Sequence, residues 1–71
     1  MKLTVNGETR EIAGTESLNI DETLVTLKVA DPLYVTVELN GTILEREAFG
    51  TTQVKDGDVL EFLYFMGGGG Q

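Results

Sequence analysis

Several residue types that most enzymes depend on are missing from this chain. It has no cysteine, which excludes disulfides, thiolate nucleophiles and cysteine-based metal sites. It has no histidine, so the commonest general base and metal ligand is absent as well. Basic residues are scarce, five against twelve acidic, for a net charge of −7. Such a chain is repelled by phosphate backbones and anionic membrane surfaces, which argues against nucleic-acid and membrane roles. The acidity serves solubility, or steers the chain toward a basic partner. Long apolar runs are also lacking. Nothing approaches the roughly 18 residues needed to cross a bilayer, and Met1-Lys2-Leu3-Thr4-Val5-Asn6 alternates where a signal peptide would carry an apolar block. A cytoplasmic location is expected.

What is present suits one small domain. Seventy-one residues, 41% of them apolar, bury only about 60% of the unfolded surface, so the core is thin. Leu3 and Val5 alternate with polar neighbours and run into Asn6-Gly7, a strong hairpin signal because a type I′ turn needs positive φ at both central positions. A second strand is expected over Thr9–Ile12, then a loop over Ala13–Ser17. Asn19 and Glu22 have capping-box spacing, and Ile20, Leu24 and Leu27 form one apolar helical stripe. The β-branched Thr23, Val25, Thr26 and Val29 weaken the intrinsic propensity, so this helix depends on packing against a sheet. Asp31-Pro32 is expected to end it. Val35, Val37 and Leu39 lie on one face of a further strand, and Asn40-Gly41 turns it back through Thr42–Glu45. Arg46 to Gln53 reads as an irregular crossover with one helical turn. Asp56-Gly57-Asp58 reads as a tight turn into a last strand, Val59–Met66.

This order predicts an α+β fold, a mixed sheet of about five strands with the single main helix on one face. The other sheet face should be partly exposed, and the long crossover allows the last strand to lie parallel to the first. In the last strand, Glu61 shares a face with Val59, Leu63 and Phe65, leaving Leu60 and Phe62 for the core. Leu63 and Phe65 are then candidates for partner binding, or else pack beneath the Arg46–Gln53 crossover. Asp56 and Asp58 read as turn formers, not as a catalytic pair. Glu45, Arg46 and Glu47 read as a solvated edge. Tyr34 and Tyr64 have no histidine or cysteine beside them to support catalysis.

The chain ends in Gly67-Gly68-Gly69-Gly70-Gln71 directly after the apolar strand. Without Cβ atoms, such a tail can extend through a channel too narrow for side chains. The expected organisation is a domain over 1–66 and a flexible tail over 67–71. Taken together, Leu3-Thr4-Val5-Asn6-Gly7, Ile20–Leu27, Val35–Gly41, Leu44-Glu45-Arg46, Val54–Asp58 and the glycine tail resemble the ubiquitin-like β-grasp proteins, and more narrowly the ThiS and MoaD sulfur-carrier family.

That resemblance implies a carrier rather than an enzyme, with no stably bound cofactor. A ThiF/MoeB-type adenylating enzyme, related to ubiquitin-activating enzymes, would use Mg-ATP to activate a terminal glycine carboxylate. Sulfur would then displace AMP, and the resulting thiocarboxylate would pass to a biosynthetic enzyme such as thiazole synthase. The family's terminal glycine falls near Gly69, so removal of Gln71, by a metalloprotease in some relatives, would expose Gly70; exposing Gly69 needs Gly70 lost as well. The free carrier would be a monomer. Open alternatives are the small subunit of molybdopterin synthase, a carrier for methionine or cysteine synthesis, a ubiquitin-like modifier, and an interaction module whose tail is irrelevant.

Overall fold

Two Asn-Gly turns set the frame. In a computed structural model, which describes residues 1–65, Asn6 and Gly7 take φ of 49° and 84°, and Asn40 and Gly41 take 51° and 88°. These are the twisted hairpin turns that the dipeptides favour. The first folds β1 (Lys2–Val5) onto β2 (Glu8–Glu11), and the second folds β4 (Thr36–Leu39) onto β5 (Thr42–Ile43). The last strand, β7 (Val59–Leu63), enters between them. It runs parallel to β1 and antiparallel to β4, giving the order β2-β1-β7-β4-β5. The strand leading to the tail is therefore the middle one. This is the mixed, β-grasp arrangement anticipated from the sequence.

The helix α1 (Ile20–Thr26) begins at the anticipated capping box. The Asn19 side chain accepts from the Glu22 N–H at 2.8 Å, while the Glu22 carboxylate accepts from the Asn19 N–H at 2.9 Å. Ile20 and Leu24 are buried against Leu3, Val5, Val35, Val37, Leu60 and Phe62. The helix does not continue to Asp31-Pro32. It stops at Leu27, because Lys28 adopts φ of 57°. The Lys28 N–H then bonds to the Val25 carbonyl and the Val29 N–H to the Leu24 carbonyl, at 3.1 and 3.0 Å. This is a Schellman ending with lysine in the position that glycine usually takes.

Two short strands were not anticipated. β3 (Ser17–Asn19), placed at the edge of the expected loop, pairs antiparallel with β6 (Gln53–Lys55), which starts at the last residue of the expected crossover. Each is three residues long, too short for a readable alternation. Within the crossover, a single 3-10 turn spans Arg46–Ala48 and delivers Phe49 to the core. The expected Thr42–Glu45 strand is shorter, ending at Ile43, and the final strand is assigned only to Leu63. Met66 and the glycine tail lie outside the described residues, as does the expected boundary at 66.

Candidate functional site

The residues around the end of β7 decide how the chain leaves the sheet. Leu60 and Phe62 point into the core and are buried, as expected from the position of Glu61. β1 ends at Val5, so the parallel ladder would lose its next rung beside Phe62. The Asn6 side chain replaces it, accepting from the Phe62 N–H at 2.7 Å and donating to the Phe62 carbonyl at 3.3 Å. On the other side, the Asn40 side chain accepts from the Val59 N–H at 2.9 Å and donates to the Asp58 carboxylate at 3.1 Å. The two turn asparagines thus do more than supply positive φ: their amides clamp β7 from both neighbours.

Beyond Leu63 the chain is held once more. The Tyr64 hydroxyl donates to the Ala30 carbonyl, tying the root of the tail to the segment after α1. Beneath this tie lies a cavity of about 280 Å³ lined by Arg10, Lys28, Phe62 and Tyr64 among others. Leu63 is half-buried opposite Thr36, while Phe65 is 73% exposed. Phe65 is therefore not covered by the crossover, whose Phe49 turns into the core. The remaining tail positions singled out in the sequence, Gly67, Gly68, Gly69, Gly70 and Gln71, lie outside the described residues.

Arg46 is exposed with Glu45 and Glu47, as expected, but its guanidinium is committed to the fold. Its guanidinium donates to the carbonyls of Pro32, Leu33 and Val35 at 2.9, 2.9 and 3.1 Å and stacks 4.5 Å from the Phe49 ring centroid. Arginine's planar fork suits this task, satisfying several carbonyls in a loop that has no ladder of its own. The loop so fixed displays Leu33 and Tyr34, each nearly four-fifths exposed, at the end of β4 that neighbours the root of the tail. Leu33 was not singled out in the sequence, and Tyr34 was weighed there only for catalysis. The available signal was the pairing of Pro32-Leu33-Tyr34 with an arginine able to reach their carbonyls, and that depends on tertiary contact.

The described residues hold no cluster of three or more metal-ligating side chains. Among the described residues, no helix is long and apolar enough to cross a membrane. What the arrangement provides is mechanical: a well-anchored strand directed at a chain end, with apolar side chains displayed around its exit.

A five-stranded mixed sheet with one helix packed across it and the last strand at its centre defines the ubiquitin-like β-grasp class. The ThiS family model matches residues 3–69, and the chain belongs to that family of sulfur carriers. The fold matches the crystal structure of the thiamine biosynthesis protein (ThiS) from Geobacter metallireducens, with a TM-score of 0.92 and 66% identity over 96% of this chain and 99% of that one. The solution NMR structure of a thiamine biosynthesis protein from the same organism matches with a TM-score of 0.78, at 66% identity over 96% of this chain and 87% of that one. A thiazole synthase from Paramagnetospirillum magneticum is 39% identical over 69 residues, covering 97% of this chain. This chain spans only 20% of that protein's length.

Proposed function

We propose that this chain carries sulfur as a thiocarboxylate on a glycine of its tail and serves the formation of the thiamine thiazole. A carboxylate is a poor electrophile. Attack by its oxygen on the α-phosphorus of ATP, on a ThiF-type adenylating enzyme with magnesium, releases pyrophosphate and leaves an acyl-adenylate. A persulfide sulfur then attacks the acyl carbon and AMP departs. Reduction of the resulting S–S bond by a thiol leaves the thiocarboxylate. All the catalytic groups in this sequence belong to the partner, which fits a chain with neither cysteine nor histidine.

The observation that carries the reading is the placement of β7. A central strand bonded on both sides leads into four consecutive glycines, and the family match extends to Gly69. Similarity to a thiazole synthase over nearly the whole chain favours a thiazole-forming acceptor over a molybdopterin one. Gly70 and Gln71 lie beyond the family match. The reactive carboxylate is assigned to Gly70 after proteolytic removal of Gln71, with Gly69 the alternative if Gly70 is lost too.

Chains ending at Gln71, Gly70 and Gly69 should be incubated with the adenylating enzyme, Mg-ATP and a persulfide donor, and the intact mass measured. The form ending at Gly70 should gain one sulfur-for-oxygen exchange and the form ending at Gln71 should not. Exchange on the form ending at Gln71 would refute the processing step. Failure of all three forms would refute the carrier mechanism.

A further inference from the structure

The cleft beneath the Tyr64 tie is where the scarce cations of this chain meet. Of its basic residues, Arg46 is committed to loop carbonyls, and Lys2 and Lys55 stand at the acidic Asp56-Gly57-Asp58 turn. The remaining pair, Arg10 and Lys28, line the same cavity of about 280 Å³. They come from different elements. Arg10 on β2 lies opposite the buried Leu3, so it faces the helix side of the sheet. Lys28 comes just after the end of α1. Among the described residues, neither is in an ion pair. Glu8 also lines the cleft, so its charged lining is net positive in a chain of net charge −7.

Lys28 holds its place at a cost. Its φ of 57° is left-handed geometry that glycine would take with less strain, and strain of that kind is a mark of a side chain with a task. The negative end of the helix dipole favours a cation here, but it does not bring Arg10 to the same cleft from the sheet. Tyr64 lines the cleft too, so the tail sets out from its wall. Only residues 65–70 separate that tyrosine from the carboxylate assigned above to Gly70. Extended, they cover at most about 20 Å, and glycines let the backbone reverse. The net charge of the domain repels a terminal carboxylate, whereas this cleft sets two cations against that field.

We propose that the tail of the free carrier folds back into this cleft and rests its terminal carboxylate, or the thiocarboxylate once formed, against Arg10 and Lys28. The proposal rests on the carrier reading for the identity of the terminal group and adds a resting position to it. A sulfur held there is shielded from electrophiles between partners, and a partner must draw the tail out before using it.

The test compares the chain ending at Gly70 as a carboxylate with the same chain ending as a carboxamide, which keeps the backbone and removes the charge. NMR signals of the Arg10 and Lys28 side chains should differ between the two forms, and the tail glycine amides of the carboxylate form should show restricted motion. Both effects should be lost at about 1 M salt and in the double variant Arg10→Gln/Lys28→Gln, with retained shifts for β4 and β5 showing that the variant is folded. In the thiocarboxylate form, iodoacetamide should alkylate the sulfur faster in the double variant than in wild type, with no cysteine in the chain to compete. A purely structural role for the two cations would change melting without making their signals depend on the charge of the chain end. Identical Arg10 and Lys28 signals in the carboxylate and carboxamide forms would overturn the proposal. A shift seen only with added inorganic phosphate would overturn it too, giving the cleft to a free anion. The NMR comparison needs no partner enzyme, so its failure sinks only the resting position. Docking of the carboxylate without any thiocarboxylate formation on the adenylating enzyme sinks only the carrier chemistry.

Discussion

Replacing Asn6 probes how the tail-bearing strand is secured. Asn6→Gly keeps a residue that accepts φ of 49° but deletes the amide that bonds both the N–H and the carbonyl of Phe62. Two neutral hydrogen bonds at about 1 kcal/mol each contribute about 2 kcal/mol. The added chain entropy of glycine in the unfolded state brings the loss to about 2.5–3 kcal/mol. A domain of this size has only about 4–10 kcal/mol in total, and the loss should lower Tm by about 10–20 °C. Asn6→Ala loses the same bonds and puts a side chain without Asn's local polar contacts in left-handed geometry, at a further cost of about 1 kcal/mol. Asn6→Asp retains the acceptor for the Phe62 N–H but sets a carboxylate against the Phe62 carbonyl, so it should fall between wild type and Gly. Thermal melts give the order, and amide hydrogen exchange gives the place: the Phe62 N–H should lose protection in the Gly variant. If Asn6→Gly moves Tm by less than about 3 °C and leaves that amide protected, the side-chain rung does not anchor β7.

Three other substitutions test other joints of the fold. Lys28→Gly should stabilise the domain by about 0.5–1 kcal/mol in denaturant titration, because φ of 57° strains lysine and suits glycine. A loss of stability there would mean that the lysine side chain contributes more than its backbone costs. Asn19→Ala removes the side-chain half of the capping box, leaving the backbone N–H of residue 19 to the Glu22 carboxylate, and should destabilise by about 1 kcal/mol, with the first turn of α1 exchanging faster by NMR. Arg46→Lys should lower stability by about 1–2 kcal/mol despite keeping the charge, since an ammonium cannot span three carbonyls and lie flat on Phe49. Retained chemical shifts for residues 32–35 in that variant would show that the loop needs no arginine.

The elements legible in the sequence are those specified by local chemistry. Asn-Gly at both hairpins, the Asn19/Glu22 box and the alternation through Val35, Val37 and Leu39 each encode their geometry within a few residues. The helix end was misplaced because its stop signal is a lysine in left-handed conformation. Glycine in that position would have been readable, whereas lysine yields to the Schellman bonds and the burial of Val29. The β3 and β6 strands escaped because their pairing brings together residues more than thirty apart and buries only Val54 fully. The structural task of Arg46 was hidden for a related reason: it is part of the exposed charged edge that Glu45 and Glu47 indicate, and only the folded loop supplies its carbonyls. At the candidate site, the facing of β7 followed from one charge, Glu61. The exposed Leu33 and Tyr34 and the meeting of Arg10 with Lys28 required knowing which elements are neighbours.

The position of β7 also explains why a carrier of this kind would place its tail where it does. Under the carrier reading, a tail drawn into a partner's channel would pull on the strand it leaves. Were that strand at an edge, it could peel from a single neighbour one rung at a time. Here the strand lies between β1 and β4, so each step of peeling would break bonds on both sides, including the clamps from Asn6 and Asn40. Among the described residues, the first free to yield are Tyr64 and Phe65, held by the bond from the Tyr64 hydroxyl to Ala30. Tyr64→Phe removes that tie while keeping the ring, so it should leave Tm nearly unchanged and alter the dynamics of residues 64 and 65. Under the carrier reading it should also change the rate of thiocarboxylate formation more than the affinity for the adenylating enzyme. Equal effects on melting and on rate would show that Tyr64 serves the fold instead of the delivery of the tail.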